Sequence, residues 1–171
     1  NRRVNILRFR GVEDVRSMAP LHNLVHKDQM AVDLKTSVWI LGRLLKALVF
    51  LHDSKVSVSD LSLGNILIEP EKHSVVIFNW AEAQLMPNGV PSSIVREDIK
   101  TAACIAISVL GGSLESGIPD DGSAEFATYR NHIFQLAQVG DNKATTAHQE
   151  FYSMVDSLWP RGFHPFTFSV T

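Results

Sequence analysis

A chain of 171 residues is long enough for one domain with a sizeable core. Its 45% hydrophobic and 20% charged residues suit an ordinary globular protein, and a net charge of −2 leaves no broad basic footprint for nucleic acid or an anionic membrane. No run reaches the ~20 apolar residues of a membrane helix, since Arg43, Lys46 and Lys100 interrupt the longest ones. The lone cysteine, Cys104, excludes an intramolecular disulfide and reads as a buried, inert thiol in a reducing compartment. No signal peptide is read at Asn1-Arg2-Arg3, so the expected location is cytoplasmic. The chain starts without Met, and residue 1 need not be the start of the natural product.

No internal repeat or low-complexity segment is present. Val4 to Arg10 alternates as a strand that ends at Gly11, and Glu13 to Met18 reads as a second short strand broken by Ala19-Pro20. Leu21 to Val25 suggests a short helix. The strongest helical pattern runs from Ser37 to His52, with Thr36 or Ser37 as the cap and Val38, Leu41, Leu44, Leu45, Leu48 and Leu51 at helical spacing. Val56 to Asp60 is a short mixed stretch. Asn65 to Glu69 and Ser74 to Phe78 predict a hairpin around Pro70-Glu71-Lys72-His73. A Pro-, Asn-, Gly- and Ser-rich loop covers Met86 to Ser93, and an apolar helix follows from about Glu97 to Leu110, capped by Gly111-Gly112. Helices are expected at about 124–139 and 144–158, stopped by Trp159-Pro160, with an aromatic tail from Arg161 to Phe168.

The chemistry concentrates between Leu51 and Ala81. Leu51-His52 ends the long helix, Asp60 follows in a loop, and Asn65 stands five residues later at the head of Asn65-Ile66-Leu67-Ile68. This segment resembles the catalytic loop of the protein kinase superfamily, in which the Asp reaches the acceptor hydroxyl and the Asn reaches a magnesium ion. Val75-Val76-Ile77-Phe78-Asn79-Trp80-Ala81 resembles the strand leading to the metal-binding Asp-Phe-Gly, and Arg96-Glu97-Asp98-Ile99 resembles the start of the large C-lobe helix, whose Asp ties down the catalytic-loop backbone. Three motifs in order, covering roughly residues 4 to 112, make the match more specific than an Asp-x4-Asn spacing alone.

The resemblance implies a mainly α (α+β) fold: a kinase C-lobe-like helical domain with a small β-hairpin and a remnant of N-lobe strands. Residues 1–21 would be that remnant plus the hinge, and 22–171 the C-lobe. It further implies Asp60 as base, Asn65 and Asn79 as metal ligands, Met18, Ala19, Leu21, Leu67 and Asn79 around a nucleotide, and Asp98 and His52 as structural residues. Mg-ATP is the implied cofactor, bound weakly. Uncovered apolar surface at the hinge implies a protein partner or the missing N-lobe; nucleic acid and membrane are not expected.

The departures from the family pattern are chemical. Val58 replaces the loop His, Ser59 precedes the Asp, Asn79 replaces the metal-binding Asp, and Ala81 replaces the following Gly. A neutral amide oxygen is a weaker ligand for a hard cation than a carboxylate. No glycine-rich loop or phosphate lysine precedes the match, and Glu82 to Arg96 holds no Ala-Pro-Glu. A pseudokinase or kinase-derived interaction module is therefore expected ahead of the C-terminal portion of an active, ATP-dependent atypical kinase. A helical domain outside the family is the third reading. Beside these roles stand plainer ones: Asp60 as a loop-structuring acid, Asn65 as a backbone-bonded amide, Asn79 as a structural residue, His22 and His26 as a common four-residue spacing with no third ligand rather than a metal site, Trp39 and Trp80 as core aromatics, and Trp159, Phe163, Phe166 and Phe168 packed on their own domain.

Overall fold

A computed structural model describes residues 15–120 and 122–170. Strand β1 (Ala19–Pro20) leads into a helical segment over residues 21–27, and β2 (Met30–Val32) precedes the long helix α1 (Leu34–Asp53). Strands β3 (Val56–Ser57), β4 (Ile66–Glu69), β5 (Ser74–Ile77) and β6 (Gln84–Leu85) follow; then come α2 (Ser92–Val109), α3 (Ala124–Val139), α4 (Ala144–Leu158) and β7 (Phe168–Val170). The fold is mainly α with small sheets.

Helix α1 is the axis of the packing, lying against α2 and α4, while α2 also packs on α3. Its Ile40, Leu41, Leu44, Leu45 and Leu48 are at most 1% exposed, which makes the buried stripe wider than a single amphipathic face requires. Each such side chain contributes roughly 1.5–3 kcal/mol of transfer free energy. One polar pair sits inside this core: Ser37 Oγ and Tyr129 OH are 2.8 Å apart, and burial pushes the Tyr129 phenol well above its ordinary pKa while the Ser37 bond opposes the shift. Gly42 lets α4 approach closely, because a Cβ there would lie 2.7 Å from the Tyr152 hydroxyl and 3.3 Å from a Phe151 ring carbon.

The start of α1 differs from expectation. The cap is Asp33, whose Oδ1 accepts the Thr36 N–H at 2.6 Å, so the helix begins before the Thr36-Ser37 pair and buries both. Helix α2 likewise begins at Ser92 rather than near Glu97: Pro91 takes the N-cap position with no side-chain cap, at φ −58, and Pro-Ser-Ser reads as loop in sequence. At its other end Gly111, at φ 78, makes the left-handed exit that its position predicts. Helices α3 and α4 take the predicted spans.

The β4–β5 hairpin forms as expected, with Ile66 opposite Ile77 and Glu69 opposite Ser74. Strand β1 joins its other side, Ala19 opposite Ile68 and Pro20 opposite Leu67, giving the order β1-β4-β5. Proline lacks an N–H and so suits this edge. The strand expected over Glu13 to Met18 is not continuous: Val15–Ser17 is a single 3₁₀ turn, and residues 13 and 14 lie outside the described residues, as does the strand expected over Val4 to Arg10. The helix expected at Leu21 to Val25 extends to Lys27 and widens there, with Asp28 N–H bonded to Asn23 O at 2.8 Å. Strand β3 is shorter than the stretch to Asp60 and pairs with β6. Unexpected is the pairing of β2 with β7, Ala31 opposite Ser169.

Gly42→Ala should cost about 1–3 kcal/mol by overpacking α1 against α4. Denaturant unfolding of the variant beside the parent chain measures it; an unchanged midpoint would show that Tyr152 moves aside freely.

Candidate functional site

The loop between β3 and β4 and the exit of β5 meet at Asn65. Its side chain is 1% exposed, and it binds backbone only. Nδ2 donates to Asp60 O at 2.7 Å and to Asn79 O at 2.9 Å, and Oδ1 accepts the Asn79 N–H at 2.6 Å. The Asn65 backbone adds an N–H to Ser62 O at 2.9 Å and accepts from Phe78 N–H at 3.2 Å. Both amide hydrogens are thus used, and the carbonyl oxygen keeps one lone pair inside a closed environment. A carboxylate here would confront two carbonyl oxygens; only an amide satisfies the pattern.

Asn79 is exposed, and its Oδ1 accepts the Ala81 N–H at 3.1 Å in a local turn. It is therefore beside Asn65 in space, through its main chain, while its own side chain faces outward. Asp60 is half-buried, and its carboxylate makes no hydrogen bond or ion pair among the described residues. The bonds to neighbouring amides that would make it a loop-structuring acid are not among those present; its main-chain oxygen does that work through Asn65. Ser59, immediately before it, is held at φ 63, an uncommon conformation for a side chain-bearing residue, and its Oγ lies 3.5 Å from Ser57 Oγ. Val58 is fully buried in the apolar core.

Asp98 and His52 come together: His52 Nε2, at the end of α1, donates to Asp98 Oδ2 of α2 at 2.8 Å, and both side chains are nearly enclosed. Asp98 was expected to tie down catalytic-loop backbone. Its bond instead goes to His52 at the end of the helix that precedes the loop. The loop is positioned through the α1 terminus, where Lys55, at φ 62, makes the left-handed turn into β3.

The residues expected around a nucleotide divide. Ala19 and Leu67 are half-buried, and β1 brings Pro20, next to Ala19, opposite Leu67. Met18 is 9% exposed. Leu21 is fully enclosed in the core, so in this conformation it offers no face to a ligand. His22 and His26 have ring centroids 4.8 Å apart on the exposed side of their helical segment. No cluster of three or more His, Cys, Asp or Glu side chains able to hold a metal occurs among the described residues. Burial pushes the half-buried Cys104 thiol up, against a smaller downward pull from Lys100, which keeps it protonated and unreactive. Among the described residues no helix is long and apolar enough to cross a membrane.

No protein-family model matches the chain, and comparison with curated proteins finds no relative.

Asn65→Ala removes three bonds and strands buried backbone groups at Asp60 and Asn79, with an expected loss of about 2–4 kcal/mol. Asn65→Asp should be at least as damaging at neutral pH. Urea unfolding compares the two; a tolerated Asp would mean the amide donors are dispensable. Asp98→Ala should cost about 1.5–3 kcal/mol by leaving His52 unpaired, read in the same way.

Proposed function

We propose that this chain is a kinase-like C-lobe serving as a pseudokinase-type interaction module, with phosphoryl transfer weak or absent. The observation that carries this reading is the state of the two asparagines. In a magnesium-dependent kinase the corresponding groups must turn oxygen ligands toward the metal and the phosphates. Here Asn65 spends its amide on backbone and Asn79 offers a neutral oxygen already engaged with the Ala81 N–H. Charge neutralisation, the main contribution to this chemistry, has no carboxylate at that position. The order of the elements supports the scaffold half of the reading: long helix, loop, hairpin, then a helix whose Asp98 reaches back to the first helix. A protein partner or an N-lobe is then the expected neighbour of the β1 edge, where the hinge would lie.

The competing reading, the C-terminal portion of an atypical ATP-dependent kinase, has one observation in its favour. The Asp60 carboxylate is half-buried and makes no hydrogen bond or ion pair among the described residues, which leaves it open to an acceptor hydroxyl, and it follows a strained residue. Its Mg-ATP would need phosphate and metal contacts supplied by other residues.

A thermal-shift titration with Mg-ATP separates the two. Nucleotide at a tenth of its Kd stabilises by only about 0.06 kcal/mol, so the scaffold reading expects a shift under about 1 °C, unchanged by a chelator. A shift of several degrees that disappears with the chelator would overturn it. Asn79→Asp keeps an oxygen for the Ala81 N–H and adds a charged ligand, so it should strengthen metal-dependent binding of ATP. Identical titrations for parent and variant would remove Asn79 from the metal position.

A further inference from the structure

The aromatic segment after α4 is fastened to the body of the protein at several points. His164 Nε2 donates to Asp33 Oδ2 at 2.8 Å, Thr167 N–H donates to Thr36 Oγ1 at 3.0 Å, and β7 pairs with β2. The remaining contact is aromatic. His73, closing the β4–β5 turn, stacks on Phe163 and Phe166 with centroids 4.5 and 4.4 Å away and planes within 5° and 6° of parallel. Two parallel rings at that distance fit only on opposite faces, so His73 is sandwiched. Trp39 of α1 packs beside it at 4.7 Å, itself under the Arg43 guanidinium. His73 is 3% exposed, and its Nε2 is enclosed with no hydrogen-bond partner among the described residues.

We propose that the His73 sandwich is an acid-sensitive latch, in which a proton on the imidazole releases the segment 161–170 from α1 and frees the edge of β2. The neutral ring behaves as a third aromatic in the stack and can leave its enclosed nitrogen as an unfilled acceptor, a smaller penalty than an unpaired N–H on a charged ring. The charged ring needs an acceptor for that N–H, and none is placed there. The surrounding charges come from three elements. Arg43 on α1 and His164 on the segment itself oppose a positive charge on His73, and Glu69 on β4 favours one. One oxygen of Glu69 is already engaged, accepting the Lys72 N–H at 2.6 Å. The faces of the two Phe rings attract a cation, which offsets part of the penalty without supplying the missing acceptor.

Burial first, then Arg43 and His164, holds His73 below the ordinary value of 6.5. A released segment returns the ring to water and to that ordinary value, so the released state binds the proton more readily. Docking is therefore complete above pH 6.5 and weakens as pH falls from there toward the depressed value. Acid does not act on the tie to Asp33 directly. Burial raises the Asp33 pKa, but hydrogen bonds from Thr36 and His164 outweigh it and hold the group below 3.8, so at milder acidity this tie opens only as the stack releases the segment.

The latch does not depend on the kinase-like reading and is tested separately, on the whole chain. Amide hydrogen exchange, corrected for intrinsic rates, is followed in β2 and β7 from about pH 7.5 to about pH 5.5, with α3 as an internal reference. Protection in β2 and β7 should fall about tenfold for each unit separating the two pKa values, while α3 stays constant. His73→Phe preserves a ring in the stack and should abolish the fall; His164→Gln retains a donor to Asp33 and should leave it in place. Protection that is flat in the parent, or that falls equally in His73→Phe, overturns the proposal. If His73→Phe does not fold, a ring-proton titration of His73 in the parent decides, since a value at or above 6.5 is incompatible with the latch.

Discussion

The amide of Asn65 joins main-chain groups from two segments, Asp60 on one side and Asn79, fourteen residues further along the chain, on the other. Without it the loop before β4 and the exit from β5 would each carry unsatisfied polar groups into a closed space. Among the candidate site residues, this cross-link holds Asp60 and Asn79 by their main chains. It fixes the main chain at the half-buried Asp60, leaves the Asn79 side chain outward and joins the start of β4 to the exit of β5. The same bonds that make the site well defined also withdraw Asn65 from ligand chemistry. The donors of this amide and one lone pair of its oxygen are filled by main-chain partners.

That cross-link rests on the helical layer beneath. Helix α1 delivers His52 to Asp98 of α2, and the bond between them fixes where the loop begins. The core around α1 tolerates little change, since Gly42 abuts Tyr152 and Ser37 meets Tyr129 inside it. By contrast, the far end of the hairpin, at His73, is coupled to the aromatic segment rather than to the loop. The hairpin thus has two differently held ends: one locked by amide–backbone bonds, the other by ring stacking that a single proton can disturb.

Local signals account for what could be read directly from residues. The apolar spacing of Val38, Leu41, Leu45 and Leu48 specified α1, and turn residues around Pro70 specified the hairpin. The helices α3 and α4 were legible for the same reason. Their boundaries at the other helices were less so, because caps are decided by which side chain reaches the free N–H groups. Asp33 did so at α1, ahead of the more obvious Thr36 and Ser37.

By itself the sequence determined the four long helices, the β4–β5 hairpin, their order and the residue types that make the loop resemble a kinase catalytic loop, including the replacements at Val58, Asn79 and Ala81. The tertiary structure alone decided how those residues are used. The Asn65 amide facing inward, Asp98 bonding His52 rather than the loop, Leu21 enclosed, and β2 paired with β7 depend on partners far apart in the chain. His164 meets Asp33 across 131 residues. Short strands such as Met30–Val32 carry too few residues to show alternation, and a stack such as Phe163, His73 and Phe166 has no period. Hydrophobic periodicity is a property of neighbours along the chain; hydrogen-bond partners and ring contacts exist only once the chain has been brought together.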